Sequence, residues 1–208
     1  MFDLDGTLMN SQADLVNAVN LTRLEYGLAS LPSDVVASFV GNGVRKFAER
    51  SFRDTVLDID EVLKKLKAYY LEHIHDYTTL YDGVKDGLHK LRSAGTTVGL
   101  VSNKPEESCR ILLRYFELDT FFEVVIGGDS VSKLKPDPAP LLTAMQRTGA
   151  SPDASWMIGD HHTDLEAARR AGVRSGFVTY GIGSTGDETP AKTFDAFREI
   201  TDFFYDQD

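Results

Sequence analysis

Four short apolar runs in the second part of the chain, separated by amphipathic stretches, constrain the fold more than any other feature. Val98-Gly99-Leu100-Val101, Phe122-Glu123-Val124-Val125-Ile126, Trp156-Met157-Ile158 and Gly176-Phe177-Val178-Thr179 read as strands. The spacing between them predicts helices near 84–93, 105–115, 138–148 and 163–171, and Gly172 suits a helix end. Strands alternating with helices imply βαβ units, hence a parallel sheet with right-handed crossovers. Phe2-Asp3-Leu4-Asp5 followed by Gly6-Thr7 has the same texture, a strand end running into a turn. The intervening stretch is different, with helical periodicity and no convincing strand. Helices are predicted over Ala13–Tyr26 (Leu15, Val16, Val19 and Leu24 on one face), from a cap at Ser33, over Val44–Phe52 and over Asp60–Tyr77. The expected architecture is α/β: a Rossmann-like, doubly wound parallel sheet from residues 1–11 and 80–208, with a helical cap of residues 12–79 inserted after the first strand. Ser184 to Thr189 reads as loop.

The polar residues cluster where such a sheet binds ligands, beyond the carboxyl ends of its strands. Asp3 and Asp5 end the first strand, Ser102 and Asn103 follow the second, Lys135-Pro136 precedes a helix, and Asp160 and Asp164 follow the Trp156–Ile158 strand. Carboxylates gathered at one edge repel one another and call for a cation. An all-oxygen set suits Mg²⁺, which keeps waters and takes a substrate phosphate oxygen. Ser102 and Lys135 can donate to the remaining phosphate oxygens. One aspartate can attack phosphorus while a second protonates the leaving oxygen and then activates water. Asp3 and Asp5, two residues apart at a strand end, fit these two roles.

Composition narrows the partners. Lys and Arg total 22 against 32 Asp and Glu, a formal net charge of −10, which disfavours nucleic acid and anionic membrane surfaces. No apolar run approaches the roughly 18 residues of a membrane span, and the opening residues lack the basic start of a secretory signal. A single cysteine, Cys109, excludes an intrachain disulfide and suits a reducing compartment. A cytoplasmic monomer or homodimer acting on a small metabolite is expected.

Asp3-Leu4-Asp5-Gly6-Thr7-Leu8, Ser102, Lys135 and Gly159-Asp160-His161-His162-Thr163-Asp164 stand in the order of the four motifs of the haloacid dehalogenase superfamily, which the chain resembles. Leu80-Tyr81-Asp82-Gly83-Val84, Val101-Ser102-Asn103-Lys104-Pro105, Val125-Ile126-Gly127-Gly128-Asp129 and Thr179-Tyr180-Gly181 are similar to the phosphoglycolate phosphatase family. That resemblance implies Asp3 as nucleophile, Asp5 as acid/base and metal ligand through its backbone carbonyl, Asp160 as metal ligand and Asp164 as support of the metal shell. It places Ser102, Asn103 and Lys135 around the phosphate. The second aspartate, absent from relatives that cleave carbon–halogen bonds, points to phosphate esters. Two positions depart from the family. Only Met1 and Phe2 precede Asp3, so a short central strand is expected, and Asp137 stands where histidine is common.

The catalytic set sees only phosphate and metal, so discrimination falls to the cap. Gly41-Asn42-Gly43 allows close backbone approach, and Arg45 could pair with a substrate carboxylate. The expected reaction is Mg²⁺-dependent hydrolysis of a small phosphate ester, with 2-phosphoglycolate first, through an aspartyl phosphate. Other capped enzymes of the superfamily are alternatives: pyrophosphatase, nucleotidase, sugar phosphatase or β-phosphoglucomutase-like. So is a phospho-aspartate signalling or phospho-ligand binding module without turnover. His161 and His162 are expected to be loop spacers, and Tyr69-Tyr70 helix packing.

Overall fold

The segment Met1–Asp3 joins the two halves of the sheet. In the computed structural model, which describes residues 1–205, Phe2 forms parallel bridges to Leu100 on one side and Ile158 on the other. Its N–H donates to the Gly99 carbonyl, and its own carbonyl accepts from Val101 N–H, both at 2.9 Å. The neighbouring strand returns the pattern: Ile158 N–H to Met1 O and Asp3 N–H to Ile158 O, again 2.9 Å. The first strand is short, yet it is paired on both edges and Phe2 is buried.

After the Asp3–Asp5 turn come β1 (Met9–Asn10) and helices α1 (Gln12–Glu25), α2 (Ser33–Ala37), α3 (Val44–Ser51) and α4 (Ile59–Glu72). The chain then returns through β2 (Thr79–Leu80), antiparallel to β1. The remainder runs α5 (Val84–Ser93), β3 (Gly99–Val101), α6 (Glu106–Tyr115), β4 (Val124–Ile126), α7 (Ala139–Thr148), β5 (Trp156–Gly159), α8 (His162–Ala171), β6 (Arg174–Val178), β7 (Lys192–Phe194) and α9 (Phe197–Tyr205). With Met1–Asp3 in the middle, the parallel order is β4, β3, Met1–Asp3, β5, β6, β7.

Period-two alternation sends strand side chains to two cores. Leu100, Val125 and Ile158 join Leu88, Leu112 and Phe197 on one face; Val101, Ile126 and Met157 join Leu141, Met145 and Ala168 on the other. A sheet covered on both faces is the reason its strands read as continuous apolar runs. Burying each of the larger side chains contributes roughly 1.5–3 kcal/mol. No described helix is long and apolar enough to cross a membrane.

Several sequence expectations need correction. Leu24 is 69% exposed, and α1 instead buries Asp14, Ala18, Val19, Thr22 and Arg23. The two charges are tolerated because each is satisfied. Arg23 donates to the carbonyls of Ala29 and Ser51 at 2.6 Å each and forks onto the Asp54 carboxylate at 2.8–2.9 Å. Asp14 accepts from the Tyr77 and Thr78 N–H groups and the Thr78 hydroxyl. That anchoring accompanies an α4 that stops at Glu72 rather than Tyr77, with Ile74 still buried. Pro32, not Ser33, occupies the cap position of α2. The strand β7 and helix α9 lie beyond the predicted elements. Their apolar residues Phe194, Phe197 and Ile200 complete the first core.

Candidate active site

The site forms where the Asp3–Thr7 turn, the β3 and β5 ends and the 134–137 loop meet. Past Asp3 the Leu4 carbonyl accepts the Leu8 N–H at 2.9 Å, turning the chain back on itself. Gly6 has φ +80°, and a Cβ there would lie 2.1 Å from Asp160 Oδ2, so glycine is required for conformation and contact alike. Asp160, just past β5, accepts from Ile182 and Gly183 N–H through Oδ2, both at 2.9 Å. Thr7 Oγ1 donates to its other oxygen at 3.3 Å. Asp164, in the first turn of α8, accepts from His161 N–H at 3.1 Å.

Lys135 is almost wholly buried and points into this cluster. Its Nζ donates to Val101 O at 2.6 Å and Asp164 Oδ1 at 2.5 Å, and lies 3.2 Å from Asp3 Oδ1. The last approach is an ion pair too poorly aligned to be a hydrogen bond, so Asp3 Oδ1 is buried without a hydrogen-bond donor. Burial would discharge Lys135, but Asp164 and Asp3 outweigh it and raise the lysine pKa. Its one charge does not balance the carboxylates. Asp3, Asp160 and Asp164 bring ligand oxygens within 4.8 Å of one another. Burial first, with Asp164 contributing, lifts Asp3 to about 6 despite Lys135. Burial, then Asp164 and Asp3, lifts Asp160 to about 7. A buried all-oxygen set with an orphaned oxygen and excess negative charge fits a hard divalent cation.

Asp5 faces a different environment. Its carboxylate takes both oxygens to Lys104 Nζ at 2.9 Å and accepts from Ser11 Oγ at 2.5 Å. It is thus outside the three-carboxylate cluster. Lys104 itself is buried, with Nζ 4.6 Å from the centroid of the Tyr70 ring on α4. Burial opposes its charge, but Asp5 and Tyr70 more than compensate and raise its pKa. A cavity of about 500 Å³ opens above Asp3, Asp5, Ser102 and Asp160 and reaches into α1–α4.

Not every expected residue takes part as anticipated. Asn103 lines the cavity, but its amide is committed: Nδ2 donates to the carbonyls of Gly41 and Lys135, and Oδ1 accepts the Lys135 N–H, all at 2.8 Å. The side chain positions Lys135 and ties the Gly41 turn to the sheet, so its amide has no donor left for phosphate. Gly41 and Gly43 line the cavity; Asn42 and Arg45 do not. Arg45 pairs with Asp60, its side chain 55% exposed. Asp137, just ahead of α7, accepts the Ala139 N–H at 3.0 Å and pairs with Lys133 at 3.3 Å.

Lys104, which its place beside Ser102-Asn103 left open between substrate contact and opening the loop, lines the cavity. Two cavity residues escaped the expectations drawn from sequence. Tyr70 is disguised by helical periodicity. His161 is no spacer: its ring caps α8 at Thr163 N–H, and a Cβ on Gly41 would meet it at 2.9 Å. Burial and then His162 lower its pKa to about 4, so the ring is neutral.

Sequence and structure comparisons agree with this geometry. The haloacid dehalogenase-like hydrolase family matches residues 1–178. A phosphoglycolate phosphatase of Pseudomonas putida is 37% identical over 96% of this chain and 77% of its own length. One of Nitrosospira multiformis is 38% identical over 90% and 85%. The crystal structure of a predicted phosphoglycolate phosphatase from Haemophilus somnus superposes with a TM-score of 0.92 at 28% identity, covering 100% of this chain and 96% of that one. The fold with its Rossmann-like sheet, the order of the motifs and likeness along nearly the whole chain lead to one conclusion: this chain belongs to the haloacid dehalogenase-like hydrolases and is a phosphoric monoester hydrolase resembling the phosphoglycolate phosphatases.

Proposed function

We propose that the protein is a Mg²⁺-dependent phosphatase of small phosphorylated metabolites, 2-phosphoglycolate first among them, working through an aspartyl phosphate. One observation carries the reading: Asp3 stands at the cavity floor with a buried carboxylate oxygen that accepts no hydrogen bond, beside Lys135 and two further carboxylates. Asp3, Asp160 and the Asp5 carbonyl would hold Mg²⁺, with Asp164 behind them. The ion would neutralise charge on the substrate phosphate.

The protein's own groups do the rest. Ser102, near the bottom of the cavity, and the Lys135 ammonium hold the phosphate oxygens. Asp3 attacks phosphorus. Asp5 gives its proton to the leaving oxygen and then takes one from the water that opens the aspartyl phosphate. Helices α1–α4 act as the cap, keeping bulk water from the intermediate. Lys104, rather than Arg45, is the cation placed to meet a carboxylate on the leaving group, since it lines the cavity and adjoins Asp5.

Steady-state phosphate release from 2-phosphoglycolate with Mg²⁺ tests the reading. Many turnovers per chain, abolished by a chelator, are expected. A single equivalent would identify a phospho-accepting signalling module, and none would identify a binding protein.

A further inference from the structure

Two buried polar atoms of cavity residues have no hydrogen-bond partner among the described residues. One is Asp3 Oδ1 on the floor; the other is the Tyr70 hydroxyl on the wall, carried by α4. Tyr70 follows Val62 and Leu66 at four-residue spacing, on the face that α4 buries, and is 8% exposed. The ring serves that packing, and a phenylalanine would serve it equally. The hydroxyl adds only a buried group to satisfy, which costs free energy until an acceptor reaches it. Burial pushes the phenol pKa up despite the Lys104 cation, so the group stays a neutral donor. Lys104 Nζ lies over the ring, 4.6 Å from its centroid, and spends hydrogen bonds on both Asp5 oxygens. The other polar side chains of the wall carry no such orphan. Ser38 donates to the Val35 carbonyl, Asn103 to the carbonyls of Gly41 and Lys135, and Lys67 pairs with Glu107. Ser108, His161 and Ser184 complete the polar lining and leave no buried atom without a partner.

We propose that the Tyr70 hydroxyl is a specificity-determining group: it donates to a carboxylate oxygen on the leaving group, beside Lys104, and so selects phosphate esters of small hydroxy acids. The proposal rests on the phosphatase reading for its chemistry and deepens it, assigning the choice of leaving group to a residue that takes no part in breaking the bond. The cavity then has two ends to satisfy. The phosphate meets Asp3, Ser102 and Lys135 on the floor, and the far end of the leaving group meets the orphaned hydroxyl. An anionic acceptor is the best match, because the Lys104 cation adjoins the ring and a hydrogen bond to a charged oxygen is stronger than a neutral one. The accepting oxygen does not react. Its bond therefore contributes alike to the ground and transition states and is read in KM rather than kcat.

Tyr70→Phe keeps the ring and removes only the hydroxyl, and three esters of closely similar size read the effect. For 2-phosphoglycolate kcat/KM should fall about 10- to 100-fold, mostly through KM. Ethyl phosphate has no acceptor at that end and should change less than about twofold. 2-Hydroxyethyl phosphate, with a neutral acceptor, should lose less than phosphoglycolate does. The metal-free melting temperature should stay level or rise, because an unmatched hydroxyl is gone. Equal losses on ethyl phosphate and phosphoglycolate overturn the proposal, as does a loss under about fivefold on phosphoglycolate. A loss on 2-hydroxyethyl phosphate as large as on phosphoglycolate overturns it too, since the hydroxyl would then read alcohols. So does a lower melting temperature, which would mean the hydroxyl is already matched within the protein. Many turnovers of phosphoglycolate or ethyl phosphate by the wild type leave the phosphatase reading standing through any of these failures. If the wild type turns over none of the three esters, both fall.

Discussion

The helical layer and the sheet edge both bury charge, and they treat it in opposite ways. In the layer, Arg23 meets two backbone carbonyls and a carboxylate, and Asp14 meets two N–H groups and a hydroxyl. At the sheet edge one Lys135 pairs with Asp3 and Asp164, Asp160 meets only neutral donors, and an oxygen of Asp3 accepts no hydrogen bond. A buried polar group left unmatched costs about 1–3 kcal/mol, more when charged. A fold that satisfies Arg23 so fully has the means to satisfy Asp3. In the helical layer satisfied charge serves structure, and at Asp3 the unmatched charge marks chemistry.

Exchanging the charges tests that contrast. Asp3→Asn should lower kcat for phosphoglycolate by about 10³-fold or more, since an amide cannot attack phosphorus. The same variant should raise the metal-free melting temperature at pH 8, because a repelled buried charge is gone. A loss under tenfold, or a lower melting temperature, would break the comparison. Arg23→Met should do the reverse. Stranding the Ala29 and Ser51 carbonyls and Asp54 should cost about 3 kcal/mol in urea unfolding, with kcat nearly unchanged; a cost under about 1 kcal/mol would show the network to be dispensable.

Lys104 sharpens the contrast, since it is fully paired yet stands in the cavity. Lys104→Met should reduce kcat/KM for phosphoglycolate by about 10- to 100-fold, the worth of one charged hydrogen bond. p-Nitrophenyl phosphate, lacking the carboxylate, should suffer less. Equal losses on both substrates would confine Lys104 to holding Asp5.

The smallest effect concerns Asp54. Its hydrogen bond from Arg23 holds its carboxyl down at about 2, against roughly 3.9 for a free aspartate. The stability it confers is therefore complete above about pH 4 and lost as pH falls through about 2. Its side chain is half-exposed, so solvent screens most of the effect. Asp54→Asn should flatten the acid-unfolding curve slightly between pH 4 and 2; an identical slope would remove Asp54 from the network's electrostatics.

The unevenness of the two regions explains what the sequence disclosed. Strands buried on both faces announce themselves as apolar runs, and strand ends carrying Asp3, Asp5, Ser102 and Asp160 map directly onto one sheet edge. The helical layer hides its logic. Periodicity put Leu24 inside and gave no reason to bury Arg23, because the acceptors at Ala29, Ser51 and Asp54 come together only in three dimensions. Tyr70 lies among the core positions of an amphipathic helix, so nothing local distinguishes a packing ring from one set over Lys104. Arg45 suggested a carboxylate partner by charge and nearness to Gly43, but α3 turns it towards Asp60. The tail strand β7 is only Lys192–Phe194, too short for alternation to reveal.

A metal-linked melt tests most directly whether the sheet edge is kept in charge deficit in order to hold a cation. Wild type and Asp160→Asn are melted at pH 8 with chelator and with Mg²⁺ at about a hundred times its dissociation constant for the wild type. In chelator the variant should melt higher, relieved of a carboxylate that its neighbours repel. Mg²⁺ should then stabilise the wild type by about 2.7 kcal/mol and leave the variant nearly unmoved, reversing their order. Equal shifts in both proteins, or none in the wild type, would contradict the account.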